Sequence, residues 1–177
     1  MSRESAGLPG FRRYLVRSLE VVLIGAMVAM TLDVLWGVFS RYVLGGQTRW
    51  TEEVASYLLI WISLLGASLT YGEHGHLGVD YFVGKLDIKA RLLANFLVEL
   101  FVLLFAGFGL VYGGWALVSK TLAAGQVAPT LGWQMGYVYL AAPISGVFFT
   151  LFAIEHLLRL STRAGGSAQP EKPIQDV

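Results

Sequence analysis

The sequence predicts an all-α integral membrane protein of four transmembrane helices, with a short interfacial helix between the second and third. Three observations lead there. Hydrophobic residues make up 55% of the 177 positions and charged residues only 14%, against about 25% charged in an ordinary globular domain. Mean hydropathy is +0.62. Four stretches, near 19–40, 54–72, 92–118 and 136–158, contain no Lys or Arg, and each matches the roughly 20 residues needed to cross a hydrocarbon core about 30 Å thick. The same numbers exclude other classes. No cysteine is present for a disulfide scaffold, and a net charge of +1 without a basic run does not suit a nucleic-acid binder.

The first span follows Arg12, Arg13 and Arg17, as a signal-peptide core would. It exceeds the usual 7–15 residues or so of such a core, however, and it carries Asp33 and ends in Phe39-Ser40-Arg41. The second is opened by Arg49-Trp50-Thr51-Glu52-Glu53. Thr51 suits an N-cap, the two carboxylates complement the helix dipole, and Trp50 suits the interfacial aromatic belt. Over 76–91 the apolar Val79, Phe82, Val83 and Leu86 recur at helical spacing opposite Asp80, Lys85 and Asp87, which predicts a helix lying in the interface. The third span would measure roughly 40 Å if upright; it must tilt, bend or begin outside the bilayer. The fourth completes a membrane domain over 1–160. Residues 161–177, with Gly165, Gly166, Pro170 and Pro173, read as a flexible cytoplasmic tail.

Ten of the thirteen basic residues fall in the N-terminal segment, the second loop and the tail. The positive-inside rule therefore predicts both termini in the cytoplasm. No internal repeat is visible, so the inverted-repeat signature of a self-sufficient transporter is missing.

All charges within the spans are acidic: Glu20, Asp33, Glu99 and Glu155. Glu20 is expected to pair with Arg17 and Glu155 with Arg159. Asp33 lies deepest, either a proton or cation site or a carboxyl packed against another helix, with some of its partners on another chain. Glu99 receives no role. Glu73-His74-Gly75-His76 offers too few ligands for zinc or copper, and the histidines sit at span ends, unsuited to haem. With no nucleophile motif and no phosphate loop, the chain reads as neither an enzyme nor a cofactor carrier. Close helix packing is expected at small-xxx-small pairs: Gly25 with Ala29, Ser63 with Ala67, Gly109 with Gly113.

The run Arg41-Tyr42, Trp50-Thr51-Glu52-Glu53, Leu59-Ile60-Trp61, Leu65-Gly66-Ala67 and His76-Leu77-Gly78-Val79-Asp80 resembles the small membrane subunit (DctQ-like) of tripartite ATP-independent periplasmic (TRAP) transporters. Pro129-Thr130-Leu131-Gly132, followed by Tyr137, Tyr139, Pro143, Ile144 and Gly146, is similar to that family's last outer loop and span; Gly132-Trp133-Gln134 departs from its usual pattern. The resemblance implies a multi-pass protein of the bacterial inner membrane and a scaffold role in uptake of organic acids. Its partners would be a large membrane subunit, which binds Na+ and carries substrate, and a periplasmic substrate-binding protein. It further implies that Trp50, Glu52 and Glu53 support the outer face, and that His76 and Asp80 shape the interfacial segment. Arg41 and Asp33 are further candidates for partner contacts. Two other readings are a small oligomeric transporter built on Asp33 and a membrane anchor of a redox complex.

Overall fold

The computed structural model describes residues 9–46, 49–74 and 88–166. The expected interfacial helix, with His76 and Asp80, lies almost wholly outside them; of the expected flexible tail 161–177, residues 161–166 continue the last helix and the rest lies outside. Helix α1 spans Pro9–Val43, α2 Arg49–His74 and α3 Ile88–Leu104; a π-helical stretch follows over Phe105–Gly113, then α4 over Gly114–Ala123. The short α5, Met135–Tyr139, leads into α6, Ala141–Gly166. Four apolar helical stretches are long enough to cross a membrane: Arg12–Val43, Arg49–Glu73, Leu93–Ala123 and Met135–Leu158.

α1 begins ten residues before the apolar run. Pro9 suits a first helical position, where its missing N–H would be unpaired in any case. The arginine-bearing turn that follows is held from α2 and α6, as described below. The third span answers its excess length with the π-helical stretch. A π turn closes with i→i+5 hydrogen bonds, so it is wider and advances less per residue than an α turn. In the fourth span the step between α5 and α6 falls three residues before Pro143, which has no N–H to donate to the Tyr139 carbonyl.

α1 packs along α2, α2 packs on α6, and α6 packs against α3 and the π-helical stretch. Leu19, Leu23, Leu65 and Phe152 are buried where α1, α2 and α6 meet, with Trp61, Ile62 and Phe148 around them. Opposite faces are apolar and exposed. Phe101, Phe105, Phe108, Tyr112 and Trp115 of the third span are each between 63% and 73% exposed. A surface of this kind belongs against lipid or a partner, not water.

The small-xxx-small pairs do not make the close contacts. Nothing lies within 4 Å of where a Cβ on Gly25 would stand, and Ala29, Ser63, Ala67, Gly109 and Gly113 are exposed. Periodicity marked stripes of small residues but could not tell which stripe faces a neighbour. The close approach instead uses Gly146 of α6, where an added Cβ would stand 2.7 Å from Leu110 Cβ and 3.0 Å from the Val111 backbone nitrogen. Gly146→Val is therefore expected to destabilise the detergent-solubilised protein by about 1–3 kcal/mol, read as a lowered Tm. Gly25→Ala should leave Tm unchanged, and an unshifted Tm for Gly146→Val would remove the close-approach argument.

The turn between α4 and α5 is built by its backbone. Gly125, at φ 61°, ends α4 in a Schellman arrangement: its N–H donates to Leu122 O at 3.0 Å and that of Gln126 to Thr121 O at 3.3 Å. Val127 and Gln134 then bridge, and Ala128 N–H donates to Trp133 O at 2.7 Å. Gly132 sits inside that turn at φ 67°, a backbone shape that glycine supplies without strain.

Candidate functional site

Polar side chains gather at the two poles of the bundle and in one cleft between α1 and α2. At the pole where α1 begins and α6 ends, each span contributes. Arg12 Nη2 of α1 donates to the Gly72 carbonyl of α2 at 2.7 Å, and its Nε lies 3.6 Å from Glu155 Oε2 of α6. Gly72 is in the last turn of α2, where carbonyls lack helical partners and the dipole favours a cation. One residue earlier, the Tyr71 hydroxyl donates to Glu99 Oε2 of α3. The other oxygen, Oε1, lies 3.4 Å from His156 Nδ1 of α6. Glu99 is completely buried, and the Tyr71 ring meets His156 edge-on with centroids 5.3 Å apart.

At the opposite pole Glu53, in the first turns of α2, accepts two backbone N–H groups from the α4–α5 turn. They come from Thr130 at 2.8 Å to Oε1 and from Leu131 at 3.0 Å to Oε2. One carboxylate thus fixes a turn far along the chain by charge-assisted bonds. Beside it opens a cleft of ≈ 600 Å³ lined by Arg49, Glu52, Glu53, Ser56, Tyr57 and Thr130. A second cleft, ≈ 300 Å³, lies between the C-terminal part of α1 and the start of α2. Asp33, Gly37, Arg41, Thr51 and Glu52 are among its lining residues.

The structure brings most of the sequence-predicted candidates to one end. Glu52 lines both clefts, Glu53 and Thr130 the larger, and Asp33 and Arg41 the smaller. Trp50 stands at the start of α2, 38% exposed. Thr51 is not the N-cap: α2 starts two residues earlier, at Arg49, and Thr51 is buried with its hydroxyl 3.1 Å from the place a Gly37 Cβ would occupy. Packing against α1 claimed the side chain expected to end the helix. Glu155 is held by Arg12, and the side chain of Arg159 is outside the described set. Among the described residues Arg17 and Glu20 form no ion pair.

Sequence reasoning missed Tyr71, Glu99 and His156. Their signal was faint: an acid deep in the third span with no basic neighbour one turn away. Arg12, one of the basic residues that set the topology, also ties α1 to two other helices.

Residues 30–163 match the family model described as tripartite ATP-independent periplasmic transporters, DctQ component. A Haemophilus influenzae protein that carries the name TRAP transporter small permease protein is 28% identical over 145 residues, 82% of this chain and 88% of the relative. The sialic acid TRAP transporter small permease protein SiaQ of Vibrio cholerae is 26% identical over 141 residues, 80% of each chain. The isethionate TRAP transporter permease protein DctMQ of Oleidesulfovibrio alaskensis is 24% identical over 160 residues, 86% of this chain but 25% of that one.

Proposed function

Because the chain belongs to the DctQ component family of tripartite ATP-independent periplasmic transporters, we propose that it is the stationary small permease subunit on which a large, sodium-coupled permease subunit works. The observation that carries this reading is the polar tie at each pole. Arg12, Tyr71, Glu99, Glu155 and His156 at one end and Glu53 at the other are engaged in holding the spans and the outer turn together. Such a frame keeps its shape while its apolar flanks, including the aromatic row from Phe101 to Trp115, stay available to a membrane partner. The DctMQ relative, about four times as long as the segment matched, supports the adjacency of a small and a large permease portion.

Organic acids are the substrate class we propose, since the named relatives handle sialic acid and isethionate. The protein would lie in the bacterial inner membrane with both termini cytoplasmic, in keeping with its sorted basic residues. The Glu53 pole would then face the periplasm. There the polar cleft beside Glu52 and Glu53 and the tied turn would form part of the docking face for a substrate-binding protein. Membership of a transporter family replaces the redox-anchor reading.

Affinity purification of the tagged chain from native membranes should recover a large polytopic protein. In liposomes, uptake should require that protein, the binding protein and a sodium gradient. Uptake by the purified chain alone would instead make it a self-contained transporter, and the scaffold reading would fail.

A further inference from the structure

We infer that the smaller cleft between α1 and α2, which Asp33 lines, receives a lysine or arginine side chain from a membrane helix of the large permease subunit. This rests on the proposed function and names a contact within it.

Asp33 is only 8% exposed, yet neither carboxylate oxygen has a hydrogen-bond partner among the described residues. A buried carboxyl group is normally partnered, and within a span such groups mark a pairing or pathway site. The basic residue of the cleft does not supply the partner. Arg41 stands eight residues further along α1, about 12 Å nearer the outer rim, with its guanidinium 6.0 Å from the centre of the Tyr42 ring. Asp33 and Glu52 are the acids of the lining and Arg41 its base.

The form of the space selects the occupant. At ≈ 300 Å³ the cleft is about ten times the share of one water in the liquid, roughly 30 Å³. Val34, Val38 and Ala55 line it together with Asp33, whose two carboxylate oxygens are buried. Apolar side chains beside a buried, unpartnered carboxylate match a methylene stem that ends in a cation. A bare ion would instead need several oxygens converging on one point. The depth of Asp33 selects the source: it stands ten residues, about 15 Å, before the end of the span at Val43, and a group that far inside an apolar helix is reached from within the bilayer. Leu32, Leu35 and Trp36, exposed beside the cleft, provide apolar surface for the helix that brings the cation.

The test uses the tagged chain co-expressed with its large subunit and purified in mild detergent. Asp33→Asn should lower recovery of the large subunit by about tenfold or more, while Asp33→Glu, which keeps the charge, should stay within about twofold. In a companion scan this chain is left unchanged and each membrane-embedded Lys or Arg of the large subunit is replaced by Met. One replacement should reproduce the loss. Wild-type recovery with Asp33→Asn, or with every replacement in the scan, overturns the inference. So does intact assembly in which Asp33→Asn shifts only the sodium dependence of uptake, since the cleft would then hold an ion. If Asp33→Asn does not fold, the scan decides alone. Failure of the wild-type chain to bring down any large subunit overturns the proposed function itself, and this contact with it.

Discussion

Glu99→Ala is expected to destabilise the detergent-solubilised protein by about 2–3 kcal/mol, the range for leaving buried polar groups without their acceptor. The substitution takes the acceptor from the Tyr71 hydroxyl, removes the carboxylate beside His156 Nδ1 and opens space at a fully buried position. Side-chain hydrogen bonds between membrane helices are worth about 0.6–2 kcal/mol each, which sets the scale for Tyr71→Phe. Glu99→Gln keeps an acceptor and the side-chain volume, so its loss should be smaller than that of alanine. Thermal unfolding of the three variants checks this order. Equal stability of Glu99→Ala and wild type would mean that the buried cluster does not hold the helices together.

The second large effect is on transport. Changing Glu52 and Glu53 together to Lys should lower uptake by the assembled complex about tenfold or more, because two charge-assisted bonds are lost and positive groups replace them. Insertion into the membrane should be intact, since both residues precede the apolar run of α2. Glu53→Gln separates the two acids. An amide oxygen can still accept one of the two N–H groups from Thr130 and Leu131, so uptake should fall only partly. Normal uptake by the double lysine variant, measured beside its membrane abundance, would contradict an outer-face role.

The sequence made the four spans legible because hydropathy is a local quantity that needs only neighbours in the chain. The acid-rich start of α2 was legible for the same reason. What escaped was every relationship between distant segments. Glu53 could be read as favourable at a helix start, but not as the anchor of a turn 77 residues away. Tyr71 and Glu99 lie 28 residues apart, and nothing in either neighbourhood announces the other. Glycine spacing pointed to the wrong faces, since a small residue permits close approach without specifying the neighbour. Gly146 is distinguished by the Leu110 and Val111 atoms beside it. The cleft at Asp33 was half legible: the sequence marked an acid wanting a partner, and the packing of α1 on α2 supplied the space.

The polar ties also impose an order on synthesis. Arg12 waits 60 residues for the Gly72 carbonyl, Tyr71 waits for the third span to enter, and Glu53 waits for the turn that follows that span. Contacts so distant in sequence are late events in assembly. While the ribosome is still extending the chain, Glu99 must sit in the bilayer before His156 exists to stand beside it. A half-made chain therefore carries exposed acidic groups that the finished one conceals.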